Sequence, residues 1–485
     1  MTSAVRLFFV FSSAPRHFRP FPRDVVFPVS LRHLLLFASR AFVACRQLAL
    51  LALVFALSAA PILAQAPAPA PAPTGVVELE VSGMKVLFKA RPGTETVAAG
   101  LFLRGGANHL TAENAGIESL LLSVMARGSV AYPRAKLRAE LARMATVIAS
   151  ASNLDYSALS LICTRANFQR SFGIFTDVAL RPALTPEDLQ IERQQALVAL
   201  KSATNTPESA LDFELQRALY ANHPYRNSPE GTPESLARVG VAELKKYHAQ
   251  ALVGTRLLLV IVGDLSVEEV SAQLQASFAA LPRGDYKAVS APPLAFSQPA
   301  LDVIRRELPT TYVEGAFSAP RLASPDYAAV RIAVSILNGR LFDEVRNKRN
   351  LSYAPSAFLR NQDANFGGIS FSSVNANQTV SVMLAEIGRL QREPVTPQEI
   401  SAEIANWTTN YYADSQTNAA QAGELARYEL IGGGWRNSAA LLEQLRRVTP
   451  ADVQRAAIRY MHNLRFVAIG NPAQISREVF STQPQ

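Results

Sequence analysis

The chain has 485 residues, 49% of them hydrophobic and 18% charged, which fits two or more packed domains and excludes a disordered or fibrous protein. Its formal charge of +9 overstates its basicity. The first 66 residues hold seven arginines against one aspartate, so six of those nine charges leave with them and +3 remains, too little to argue for nucleic acid or a polyanionic surface.

At the N-terminus, Arg40 and Arg46 precede an apolar core from Leu48 to Leu57, followed by Ala64-Gln65-Ala66, the pattern of an export signal and its cleavage site. The apolar run is shorter than the roughly 20 residues a membrane span needs. Residues 1–66 are read as a leader and residues 67–75, which open on the Pro/Ala alternation Pro67–Pro73, as an extended tether. The expectation is an exported protein, periplasmic or membrane-associated in a bacterium, although nothing in the mature chain indicates a membrane. Cys163 is the one cysteine left after the leader, which excludes an intrachain disulfide.

In the mature chain, Val76–Phe88 reads as a hairpin turning at Ser82-Gly83 and Thr96–Arg104 as the next strand. Ala135–Met144 reads as a helix and Ser157–Thr164 as an alternating strand. Helices follow from about Thr185 to Lys201 and from Pro207 to Leu219. Three landmarks then recur. Leu184-Thr185-Pro186-Glu187-Asp188-Leu189 returns as Val395-Thr396-Pro397-Gln398-Glu399-Ile400, 211 residues on. Each is a helix start, with a threonine cap, a proline in the first turn and acids favoured by the helix dipole. Val239–Leu244 returns as Val448–Val453 after 209 residues, and the apolar strand Leu257–Gly263 as Leu464–Gly470 after 207.

So small a drift points to a duplicated unit. The expected fold class is α+β, as two homologous domains, each a curved and mainly antiparallel sheet with helices packed on one face. The boundaries expected are 76–282 and 300–475, with a Pro/Ser/Ala-rich linker at 283–299 and a tail at 476–485.

No catalytic metal set is legible. Catalytic zinc takes three ligands drawn from imidazole, thiolate or carboxylate. The six histidines (His17, His33, His109, His223, His248 and His462) include no pair three or four residues apart. Cys45 and Cys163 are too few for a thiolate site.

The stretch Gly116–Gly128 nevertheless resembles the zinc-binding helix of the pitrilysin/insulinase (inverzincin) metallopeptidases, which carries His-x-x-Glu-His. Here those three positions read Ser119, Leu122 and Ser123. The family's third ligand is a glutamate in a Glu-Arg-x-x-x-x-x-Glu helix, which matches Glu192-Arg193 through Ala199. Ala199, 76 residues after Ser123, stands where that glutamate would be. Further resemblance lies in His223-Pro224-Tyr225 with Gly231-Thr232, in Ala151–Ser157, and in Arg340-Leu341-Phe342 with Val345-Arg346 and Leu351-Ser352-Tyr353. It spans roughly Val76 to Pro472.

The resemblance implies a non-catalytic member, with no metal and no cofactor in this chain. In active members an arginine and a tyrosine seven residues apart in the second domain hold the substrate backbone. Arg346 and Tyr353 match them, and a guanidinium beside a phenol is a sensible donor pair for a carbonyl gaining negative charge. Family members such as mitochondrial processing peptidase pair a His-x-x-Glu-His subunit with a metal-free one. The implied function is therefore a peptide-binding subunit supplying Arg346 and Tyr353 in trans, with zinc in a homologous partner and a peptide as substrate. The alternative is a stand-alone peptide-binding or scaffolding protein. Catalysis through Ser119 or Ser123 has no histidine at a fixed nearby spacing to support it.

The resemblance also places a substrate-binding expectation on Leu101–Asn108, whose counterpart strand edge in the family can pair with a substrate strand; Gly105 and Gly106 would allow close approach, and glycines at a strand end also serve structure alone. His109 is read as a loop residue. The run Ile431-Gly432-Gly433-Gly434-Trp435 is read as a helix terminator rather than a substrate loop.

Overall fold

The structure is a computed structural model that describes residues 75–484. The expected leader, and all of the tether but Gly75, lie outside the described residues. The first hairpin pairs β1 (Val76–Val81) with β2 (Met84–Ala90). Ser82 and Gly83 form its two-residue turn with φ of +51° and +80°, the doubly positive geometry that suits the twist of a tight hairpin. A Cβ on Gly83 would also lie 2.8 Å from the Arg283 side chain.

The chain continues through β3 (Thr96–Arg104), α1 (Ile117–Met125), α2 (Arg134–Arg143), β4 (Val147–Ser152) and β5 (Tyr156–Thr164). Next come α3 (Phe168–Leu180), α4 (Pro186–Ser202), α5 (Pro207–Leu219), α6 (Pro233–Arg238), α7 (Val241–Ala251), β6 (Leu257–Gly263) and α8 (Val267–Phe278). The second half contains β7 (Ala300–Arg305), β8 (Thr311–Ser318), α9 (Tyr327–Leu341), β9 (Ser356–Leu359), β10 (Phe366–Ser373) and α10 (Ala376–Arg392). It closes with α11 (Pro397–Asp414), α12 (Asn418–Ile431), α13 (Asn437–Arg446), α14 (Pro450–Tyr460), β11 (Arg465–Gly470) and α15 (Arg477–Phe480).

The repeated helix starts have the expected chemistry. Thr185 Oγ1 accepts from the Asp188 N–H at 3.1 Å, and Thr396 Oγ1 from the Glu399 N–H at 3.2 Å. Each cap satisfies one of the free N–H groups of a first turn and stabilises its helix by about 1 kcal/mol.

The strands form two sheets, ordered β1-β2-β6-β3-β5-β4 and β7-β11-β8-β10-β9. Apart from the added β1 they share one design. A parallel pair (β2 with β6, β7 with β11) leads into three antiparallel pairings. This is the mainly antiparallel α+β duplication expected.

Within each half the local helices cover one face of the sheet, where Val97, Leu101 and Ile261 in the first, and Val313, Phe317 and Ile369 in the second, are fully buried. The opposite face is covered by one helix from the other half. From α5, Ala210, Leu211, Leu215 and Leu219 pack on Ala316, Val467 and Ile469 of the second sheet. From α12, Ala422, Leu425 and Ala426 pack with Trp435 on Leu87, Phe102, Leu258 and Val260 of the first. The two halves thus exchange equivalent helices. Beyond residue 475 the chain adds α15, whose Phe480 is fully buried in the second core.

Candidate functional site

Helix α1 starts from Gly116 and buries Ile117, Leu120, Leu121, Leu122, Val124 and Met125, which leaves Ser119 and Ser123, one turn apart, on its accessible side. Leu122 has no exposed surface and belongs to the first core. Ser123 Oγ lies 3.4 Å from Ser150 Oγ on β4. The companion helix α4 packs against α1, and Ala199 is exposed on it. An ion pair between Arg127 and Glu192, with Arg127 Nη2 donating to Gln195 Oε1 at 3.3 Å, ties the end of α1 to α4.

These four positions therefore present two hydroxyls, a methyl group and a core leucine. They do not fit a zinc ion, which needs imidazole, thiolate or carboxylate donors that no core leucine can replace. Among the described residues, no three His, Cys, Asp or Glu side chains gather in a metal-binding group.

Behind α1 lies a charge pair that sequence reading missed. Glu118 and Arg256 are 3% and 6% exposed, and Arg256 Nη2 donates to Glu118 Oε2. Tyr247 Oη donates to the same oxygen at 2.8 Å, and Arg256 Nε donates to the Arg104 carbonyl at 3.1 Å. Burial, reinforced by the Glu118 charge, drives the Tyr247 phenol far above its ordinary range. The one signal in the sequence was an acid in the first turn of an otherwise uncharged helix. Its partner is 138 residues away.

The expectation for Gly105 and Gly106 is corrected. Strand β3 is an interior strand, paired along Thr96–Arg104 with β5 and along Ala98–Leu103 with β6, so it has no edge to offer a peptide. The two glycines serve packing instead. Gly105 has φ +107°, and a Cβ there would lie 2.0 Å from the His109 ring; on Gly106 it would lie 2.4 Å from the Leu154 carbonyl oxygen. His109 is held in its loop by the Tyr286 hydroxyl at 2.9 Å. The sheet edge beside α1 is β4, which pairs only with β5 among the described residues.

Arg346 and Tyr353 do come together. Helix α9, the counterpart of α1, runs on into a π-helical segment, Phe342–Lys348, a rare conformation frequent at functional sites. This places the Arg346 guanidinium 4.8 Å from the Phe342 ring centroid and 4.1 Å from that of Tyr353. Asn350, with φ +52°, turns the chain back, its N–H donating to the Arg346 carbonyl at 3.1 Å. Both rings reach solvent, Tyr353 at 68% and Phe342 at 41% exposure.

Nearby Lys348 pairs with Asp343 and Glu344, and Arg349 pairs with Glu344. Among the described residues, Arg346 makes no ion pair and its side chain donates no hydrogen bond. Its faces are stacked and its N–H edges are free, an arrangement that suits an incoming carbonyl or carboxylate.

The triple-glycine run ends a helix, as expected. The N–H groups of Gly432 and Gly434 both donate to the Tyr428 carbonyl, at 2.9 and 3.0 Å. Trp435 then drops onto the first sheet and donates from Nε1 to Glu78 Oε1 at 2.9 Å.

Comparison with known proteins agrees with this geometry. Residues 85–233 match the model of insulinase (peptidase family M16), and residues 238–406 match that of the peptidase M16 inactive domain. An uncharacterized zinc protease of Mycobacterium leprae is 21% identical, over 80% of this chain and 90% of that one. The non-peptidase homolog YmxG of Helicobacter pylori is 26% identical, over 48% of this chain and 59% of that one. The crystal structure of a peptidase M16 inactive domain from Pseudomonas fluorescens superposes with a TM-score of 0.74 at 22% identity, covering 82% of this chain and 98% of that one. The chain belongs to peptidase family M16, the insulinase family.

Proposed function

We propose that this protein is the metal-free subunit of an exported heterodimeric zinc peptidase, binding peptide and supplying Arg346 and Tyr353 to a homologous His-x-x-Glu-His partner. The observation that carries the reading is the contrast between an emptied α1 and an Arg346 held between two exposed rings with no anion beside it. A half-buried guanidinium stacked on two exposed rings, with no ion pair among the described residues, has little charge pairing to do within its own chain. Its free N–H edge and the Tyr353 hydroxyl are donors suited to a peptide carbonyl. The free edge of β4, beside α1, supplies the main-chain groups with which an extended peptide would pair. Metal and general base belong to the partner, and this chain's share is positioning and charge stabilisation.

The test is co-purification with the most similar His-x-x-Glu-His paralogue, followed by peptide cleavage with and without this chain. Activity should require the chain and should fall about 100- to 1,000-fold in Arg346→Ala, the scale of losing one oxyanion donor. A paralogue that binds nothing and cleaves alone would overturn the proposal and leave a stand-alone peptide-binding protein.

A further inference from the structure

Among the charged groups that bridge the halves, Glu78 and Glu429 are outnumbered by Lys85, Arg104 and Arg436, but two other clusters share the opposite balance. In the first, Asp212 on α5 meets Arg360 and Glu314 of the second half. Arg360 Nη2 is 2.5 Å from Asp212 Oδ1 and 3.7 Å from Glu314 Oε1. Glu314 is 6% exposed, on the face of β8 that α5 covers. In the second cluster, Asp155 in the turn between β4 and β5 meets Asp363 in the turn between β9 and β10. The Asp363 N–H donates to Asp155 Oδ1 at 3.1 Å, and the Tyr225 hydroxyl donates to the same oxygen. Arg321 Nη1 stands 3.6 Å from Asp363 Oδ1, and the Ala291 N–H donates to Asp363 Oδ2 at 2.7 Å. Each cluster holds two carboxylates and one guanidinium, so each has one carboxylate too many.

We propose that the seam between the two halves is a proton-operated clasp, in which each cluster takes up a proton on its surplus carboxylate and closes more firmly than when both carboxylates are ionised. The proposal goes beyond the peptidase-subunit reading and does not depend on it.

Among the other ionisable groups facing these carboxylates, the Tyr225 hydroxyl favours the ionised Asp155 through its hydrogen bond. Tyr220, Tyr225 and Tyr156 surround Asp155, Tyr220 also faces Arg360 and Asp212, and Arg104 and Tyr286 line the cavity beside Asp155 and Asp363. Burial raises the Asp155 carboxyl to about 6, against the opposing hydrogen bonds from Tyr225 and the Asp363 N–H, with the Asp363 charge adding a smaller upward push. Burial first, then Asp212, raises that of Glu314 to about 7, against the opposing pull of Arg360.

The sign follows from linkage. Both acids hold their proton more tightly folded than unfolded, so their contribution is full below about pH 4 and is lost as pH rises through about 6 to 7. The seam is firm in acid and looser near neutrality.

The test uses the mature chain, melted at about pH 5 and about pH 7.5, with Asp155→Asn and Glu314→Gln, which keep the shape of the protonated side chains. Wild type should melt several degrees lower at the higher pH. Each variant should remove part of that difference, and the double variant most of it, by melting above wild type near pH 7.5. Variants that keep the wild-type pH slope overturn the proposal. So does a double variant that is destabilised or fails to fold, because the neutral amide mimics the closed clasp.

Hydrogen exchange gives an independent readout. After correction for intrinsic chemistry, α5 of wild type should be roughly threefold or more better protected at the lower pH, and that gain should vanish in Glu314→Gln. Equal protection at both pH values also overturns it.

Discussion

Helices α1 and α9 occupy the same place in the duplicated design, after the long strand of each half, and they have diverged in opposite directions. Helix α1 has turned inward. Its Leu122 is fully buried, and its Glu118 is tied to Arg256. Helix α9 continues into a π-helical turn that pushes Arg346 outward between Phe342 and Tyr353. Leu122 on one helix is core packing, while Arg346 beyond the other is half-buried and makes no ion pair among the described residues. A helix packed in this way needs no metal ligand to hold its place, because its apolar side chains anchor it to the core.

The hardest test of that comparison is to put the acid back. Leu122→Glu should cost about 3 to 5 kcal/mol, since a carboxylate would enter a site with no partner, and urea unfolding measures it. If Ser119→His, Leu122→Glu, Ser123→His and Ala199→Glu together instead bind one zinc per chain and raise the melting temperature, then α1 is dormant rather than converted to core.

Next come the exchanged helices. Leu215→Ala on α5 and Leu425→Ala on α12 should each cost about 2 to 4 kcal/mol, because both side chains are buried against the opposite half's sheet. A loss below about 1 kcal/mol in either would show that its sheet does not depend on that cover. The threonine caps should matter less, Thr185→Ala and Thr396→Ala each costing about 1 kcal/mol in chemical denaturation. Unequal losses would show that the two repeats have diverged at their helix starts as well.

The smallest effect belongs to the exposed site. Arg346→Ala should change stability by no more than about 0.5 kcal/mol, since the guanidinium has no ion pair to lose and its stacking rings are wet. A large loss there would reassign Arg346 to the scaffold and remove the contrast with α1.

Much of this was legible in advance. The repeated Thr-Pro starts at Thr185 and Thr396, and the paired strands ending in Gly263 and Gly470, disclosed the duplication, because caps and strand ends are written in a few adjacent residues. The absence of ligand-forming side chains at Ser119, Leu122, Ser123 and Ala199 needed only their identities. Spacing brought Arg346 and Tyr353 together on paper, but only through a resemblance. The strand edge expected beside Gly105 and Gly106 was not legible, because an edge strand and an interior strand can carry the same residues. Strand order depends on β6, which arrives more than 150 residues after β3.

The sequence by itself determined the local elements, their duplication and the missing metal chemistry, since each rests on nearby residues or on residue type alone. Tertiary structure decided which half each amphipathic helix covers, that β3 lies inside its sheet, that Glu118 meets Arg256, and that surplus carboxylates meet across the seam. Those outcomes depend on contacts between residues tens to hundreds of positions apart, where burial and charge neutralisation are settled by which surfaces meet and not by any local pattern.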